Sequence, residues 1–190
     1  SRYTRRSDRE YDKIANYIHQ TVSRRHGNYM VFFPSHVFLQ QVYERYLRCY
    51  AVKDDTECLV QTEHMDEAER EAFLQRFEGN PGMNLSDIIH MEIEVEEESS
   101  LVGFCVLGGI FSEGIDLKED SLIGALIVGT GLPQVCTERE IIRGYFEENG
   151  ENGFDYAYRY PGMNKVLQAA GRVIRTADDV GIVALLDDRF

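Results

Sequence analysis

The 190-residue chain has no apolar run approaching the roughly 18 residues that a membrane-crossing helix needs. No basic-then-apolar leader pattern opens it. The four cysteines (Cys49, Cys58, Cys105 and Cys136) are widely spaced and form no CxxC pair, which argues against a zinc site and against an iron–sulfur cluster. Cys49 and Cys105 sit in apolar or aromatic surroundings and are expected as buried, reduced thiols of a cytoplasmic protein. No GxxxxGK(S/T) loop is present to cradle nucleotide phosphates. Repeats, low-complexity tracts and linkers are missing too, so residues 1–190 are expected to form one domain with a full core.

Charge is abundant but unevenly placed. The net −13 argues against a positive field over the whole surface. Yet residues 1–53 carry 10 basic against 4 acidic residues, whereas residues 54–98 carry 2 against 15, and residues 99–190 carry 8 against 14. A polyanion would therefore meet local basic features near the N-terminus. The glutamates of 92–98 read as a solvated surface segment, since no histidine or turn glycine organises them into a metal site.

Hydrophobic periodicity predicts strands alternating with helices. Apolar positions Tyr11, Ile14, Ala15, Ile18 and Val22 give an amphipathic helix over 8–25, capped by Ser7 or Asp8 and ended by Gly27. A short apolar run at 29–33 reads as a buried parallel strand, and Pro34-Ser35 starts a helix that runs to about 50. Further strands are expected at 58–62, 101–107, 121–129 and 181–186, with helices at 66–77, 137–149 and 153–159. Pro161 then opens the helix that carries residues 168–175. This order implies a three-layer α/β fold with a mainly parallel sheet and helices on both faces.

In such a sheet, ligands sit beyond the carboxyl ends of the strands, and three chemistry-bearing features fall there, while a fourth precedes the last strand. The octad 168–175 reads as a helix placing Gln168, Arg172 and Arg175 at i, i+4 and i+7 on one face, with Gly171 leaving room beside them. An amide and two guanidinium forks suit a polyphosphate whose charge rises in a transition state. The alternative is an ordinary surface helix with paired arginines. After the strand at 101–107 come Glu113, Gly114 and Asp116, either a capped turn or a loop that touches a nucleotide and a nucleic-acid backbone. After the first strand come Ser35 and His36, where a helix N-terminus offers free amides to a phosphate and where plain helix capping is the alternative. Gln61 and Thr62 lie at the corresponding place after the second strand.

Taken together, FFPS (32–35), GGIFSEGIDL (108–117), QAAGRVIR (168–175) and DDVGIVALLDDRF (178–190) resemble the second motor domain of superfamily 2 DNA helicases of the DinG and XPD type. The resemblance implies a RecA-like domain acting in an ATP-dependent DNA helicase. Arg172 and Arg175 would be arginine fingers on ATP, and Gln168 would help sense it. Glu113, Gly114, Asp116 and Gly171 would couple the nucleotide cleft to DNA. Ser35, His36, Gln61 and Thr62 would lie near single-stranded DNA. The missing phosphate loop, acidic DEAH-like motif and cysteine quartet belong to an N-terminal first motor domain. ATP and Mg would be held mainly by that domain, expected in the same polypeptide outside this chain. The loop 129–133 departs from the more apolar family pattern. One rival reading is a degenerate, non-catalytic helicase-like module that binds nucleic acid or protein. A second rival, a flavodoxin-like nucleotide enzyme, lacks the glycine it would need in 32–38.

Overall fold

The computed structural model describes residues 7–78, 99–111, 122–174 and 180–190. In chain order these form α1 (Asp8–Val22), β1 (Asn28–Phe33), α2 (His36–Tyr46), β2 (Thr56–Val60), α3 (Glu67–Glu78), β3 (Ser100–Val106), β4 (Gly124–Val128), α4 (Thr137–Glu148), α5 (Tyr160–Ala170) and β5 (Ile182–Leu186). Single π-helical turns, Leu47–Ala51 and Asp155–Arg159, extend α2 and precede α5. The helix expected at 153–159 is thus a wide turn running directly into α5. The 79–82 turn and the 92–98 glutamates lie outside the described residues.

All strand pairs are parallel, in the order β2-β3-β1-β4-β5. β1 is central and buried throughout, which explains why its sequence is continuously apolar instead of alternating. Its side chains still alternate between faces. Val31 and Phe33 join Ile14, Ile18, Phe38 and Val42 of α1 and α2 in one cluster. Met30 and Phe32 join Phe73 and Phe77 of α3 and Val166 and Ala169 of α5 in the other. Helices therefore cover both faces, and the three-layer α/β expectation holds. α4 has no buried residue and stands outside these layers.

Local chemistry sets the boundaries. Ser7 caps α1, its hydroxyl accepting from the Glu10 amide, but the helix stops at Val22, three residues short of the predicted end. At α3, Asp66 accepts from the Glu69 amide at 2.8 Å while Glu69 accepts from the Asp66 amide at 2.9 Å, a reciprocal capping box. β2 ends at Val60, so Gln61 and Thr62 lie beyond the strand. Cys105 is buried as expected, and burial pushes its thiol far above the usual range. Cys49 is not. It projects from the π-turn into solvent, because the wider turn rotates residues 47–49 off the packed face of α2.

The amino edge of the sheet is closed by polar contacts. Asp54, just before β2, has a side chain only 1% exposed, and its two oxygens meet His19 Nδ1 at 2.6 Å and the Tyr46 hydroxyl at 2.8 Å. Burial holds the Tyr46 hydroxyl well above the usual phenol range. His19 stacks on Tyr50 of the π-turn at 4.5 Å between centroids. Nearby, Ser100 Oγ accepts from the Gly27 amide at 3.4 Å, and the Asn28 side-chain amide donates to the Phe77 carbonyl at 3.3 Å.

Candidate functional site at the carboxyl edge

The opposite edge carries the residues that follow β1, β2 and β3. Because β1 and β2 are each followed by a helix, α2 and α3 begin here, pointing amides and the positive ends of their dipoles at this edge. Ser35 is extended (φ −164°, ψ 155°), and its Oγ accepts from the Phe38 amide at 3.4 Å, so the capping role considered from sequence is present. His36 follows, half-buried. Gln61 is buried, its side-chain Oε1 accepting from the Val106 amide at 2.8 Å while its backbone N–H donates to the Phe104 carbonyl at 2.8 Å. It ties β2 to β3. Thr62 is exposed beside it. His36, Gln61 and Thr62 do come together, lining one groove of about 410 Å³ with Gln40 and Glu63 between the start of α2 and the end of β2. Gln61 shapes this groove from beneath, whereas His36 and Thr62 offer it donors.

The loop after β3 begins at Leu107 and is described through Phe111, whose ring is 1% exposed and stacks on Phe73 of α3 at 4.3 Å. That anchor fixes the start of the GGIFSEGIDL segment. Glu113, Gly114 and Asp116 lie outside the described residues.

The octad differs from its sequence reading. α5 ends at Ala170, with Gly171 as its C-cap in right-handed geometry (φ −65°, ψ −5°). The next amides, of Arg172 and Val173, bond back three residues to Ala169 and Ala170 at 3.3 and 3.1 Å. The backbone thus tightens where glycine weakens the helix and where buried Val173 is drawn into the core. The uniform i, i+4, i+7 face is therefore corrected. Gln168 is exposed on the last helical turn, Arg172 sits in the tightened turn with its Nε buried, and Arg175 lies outside the described residues.

After β5, Asp187 accepts from the Arg189 side chain at 2.6 and 2.8 Å in a two-pronged pair, which raises the guanidinium's pKa further. Two residues at this edge escaped the sequence reading, Thr130 in the 129–133 loop and Lys165 on α5. Lys165 precedes Gln168 by three positions, a helical spacing that places the two on neighbouring rows. Among the described residues no group of three or more His, Cys, Asp or Glu side chains could hold a metal ion. No described helix is long and apolar enough to cross a membrane.

This parallel five-stranded sheet with helices on both faces is RecA-like. A family model described as the helicase C-terminal domain matches residues 18–190, so the chain belongs to the helicase C-terminal domain family. It is similar to ATP-dependent DNA helicase CHL1 of Candida albicans, 27% identical over 201 residues covering 99% of this chain and 22% of that protein. It is similar also to regulator of telomere elongation helicase 1 of Bos taurus, at 26% over 171 residues, 85% of this chain and 13% of that one. To ATP-dependent DNA helicase DinG of Photobacterium profundum it is 39% identical over 84 residues, 43% of this chain and 12% of that one. A solved XPD helicase structure superposes over the whole chain with a TM-score of 0.69 at 22% identity, using 30% of its own length. The chain thus spans about a fifth or less of these curated relatives.

Proposed function

We propose that this domain is the second motor domain of an ATP-dependent DNA helicase that translocates on single-stranded DNA. The observation that carries the reading is the family match over 18–190, a span that includes Gln168 and Arg172. ATP and Mg are held mainly by a first motor domain of the same polypeptide, and the nucleotide lies between the two. Arg172 and Arg175 supply guanidinium charge to the phosphoryl group in the transition state, and Gln168 senses that the group is in place. Glu113, Gly114 and Asp116 link this cleft to the DNA strand. The groove of His36 and Thr62 contacts DNA phosphates, with Ser35 presenting the α2 N-terminus and Gln61 holding the groove's floor. Closure on ATP and opening after hydrolysis step the domain along the strand.

In the full-length protein, Arg172→Ala is expected to lower DNA-stimulated ATP hydrolysis by about 10³-fold or more. The 190-residue chain alone is expected to show no DNA-stimulated hydrolysis. Turnover near the unmodified rate in the Arg172 variant, or robust hydrolysis by the chain alone, overturns the reading. A non-catalytic helicase-like module, which the net charge of −13 favours, predicts instead that Arg172 is dispensable for every activity of the protein.

A further inference from the structure

β1 and β4 are neighbours in the sheet, yet the chain leaves them in opposite directions, toward β2 and toward β5. Such a divergence opens a crevice beyond the carboxyl ends of the two strands, where ligands of open parallel sheets bind. The β4 wall of this crevice is the turn Gly129-Thr130-Gly131, whose glycines have φ of +86° and +65°. Thr130 Oγ1 is buried in that turn with no hydrogen-bond partner among the described residues. A buried hydroxyl without a partner is costly, so its retention calls for an explanation outside the packing.

Lys165 supplies the second observation. α5 approaches the turn so closely that a Cβ on Gly162 would lie 2.8 Å from the Thr130 carbonyl, and one on Gly131 would lie 3.5 Å from Lys165 Cβ. The lysine stem then crosses to the carboxyl end of β3. A Cβ built on Gly108 (φ +72°) would meet Lys165 Cδ, Cε and Nζ at 2.7, 2.8 and 3.0 Å. Glycine at 108 therefore keeps the path of the lysine open. The side chain is half-buried, yet its ammonium makes no ion pair or hydrogen bond with any described residue. A cation held in a crevice with no acid beside it among the described residues is arranged for an anion from outside.

We propose that Lys165 and Thr130 form a binding site for a phosphate oxyanion at the β3–β4 carboxyl edge. The ammonium provides charge and the hydroxyl provides a directed donor. Two sources carry that chemistry, the phosphates of a nucleotide and the backbone of a DNA strand. The site rests on the helicase reading only for the identity of those sources.

The test is a titration of the uniformly 15N-labelled chain, followed at the amides of Gly108, Thr130 and Gly131, with inorganic pyrophosphate, ATP and a short oligo(dT) strand in separate arms. Those amides are expected to shift with at least one of the three. Lys165→Ala and Lys165→Met, the second keeping the alkyl stem, are each expected to weaken that response about tenfold, and Lys165→Arg to retain most of it. Response to pyrophosphate and ATP assigns the site to a nucleotide, and response to oligo(dT) alone assigns it to the strand. In the strand case the salt dependence falls by about one counterion in the Lys165→Met variant. Absence of any shift at the three amides, or shifts indifferent to folded Lys165→Met, overturns the site. The helicase reading would survive that result, because it stands or falls on Arg172 and ATP hydrolysis in the full-length protein.

Discussion

The two edges of the sheet differ in how many of their polar groups meet one another. At the amino edge, polar groups meet one another: Asp54 with His19 and Tyr46, Ser100 with Gly27, Asn28 with Phe77. At the carboxyl edge, Lys165 and the Thr130 hydroxyl lack partners among the described residues, and His36 and Thr62 line an open groove. Both edges carry buried or half-buried polar atoms, so composition does not separate them. Satisfaction does. Internal partners fix strand ends to helices, whereas withheld partners leave donors for a ligand, and the helices that begin at the carboxyl edge add their amides to the same side.

The largest stability effect is expected from breaking the closed edge. Asp54→Ala removes the acceptor of His19 and the nearer acceptor of Tyr46, whose hydroxyl keeps only the longer contact to Thr56, and a buried donor that loses its partner costs about 1–3 kcal/mol. A loss of about 3 kcal/mol, or roughly 6–12 °C in Tm by scanning calorimetry, is expected. An unchanged Tm would mean that the contacts of the amino edge contribute nothing to holding it shut.

Thiol reactivity gives a second, smaller probe of the same edge. Burial first, then the charges of Asp54 and Glu57, push the Cys58 thiol up to about 12 from its ordinary 9.0, whereas Cys49 and Cys136 are exposed. At pH 8, alkylation followed by mass spectrometry should label Cys49 and Cys136 first, with Cys58 slower by about a hundredfold or more. Its rate should climb as pH rises toward 12. Because the folded value lies above the ordinary one, the associated stability is present below pH 9 and is lost as pH rises through about 12. Labelling of Cys58 at the rate of Cys49 would show that the amino edge opens readily.

Much of this architecture was legible from residue patterns. The unbroken apolar run of β1 announced a strand buried on both faces, and Ser7 and Ser35 announced their caps. That Ser35, His36, Gln61 and Thr62 fall at the carboxyl edge was also legible, because each follows directly on a parallel strand. What could not be read was any property set by contacts distant in sequence. Gln61 looked like a free donor, but Val106, 45 residues on, occupies its carbonyl. Helical spacing of the octad failed because Gly171 and the burial of Val173 end α5 early, and periodicity carries no signal for that tightening. Cys49 was misplaced because a π-turn shifts the phase of a helix by one residue. Lys165 was invisible for a related reason, since its place is defined by Gly108, 57 positions away in the chain.

The smallest expected effect sharpens the contrast most, because its sign differs between the edges. Thr56 at the amino edge has a hydroxyl that donates to the Asp54 carbonyl at 3.2 Å and accepts from Tyr46 at 3.4 Å. Thr56→Val should therefore lower stability by about 1 kcal/mol. Thr130 has a buried hydroxyl without a partner among the described residues. Replacing that oxygen by a methyl group removes a desolvation penalty and no bond, so Thr130→Val should leave stability unchanged or raise it by about 1 kcal/mol. Calorimetry of the two variants under identical conditions checks the pair. A loss in Thr130→Val equal to that in Thr56→Val would mean that both hydroxyls serve the fold. A gain, accompanied by a weaker anion response at Gly131, would show stability given up at this edge to keep a donor ready for a ligand.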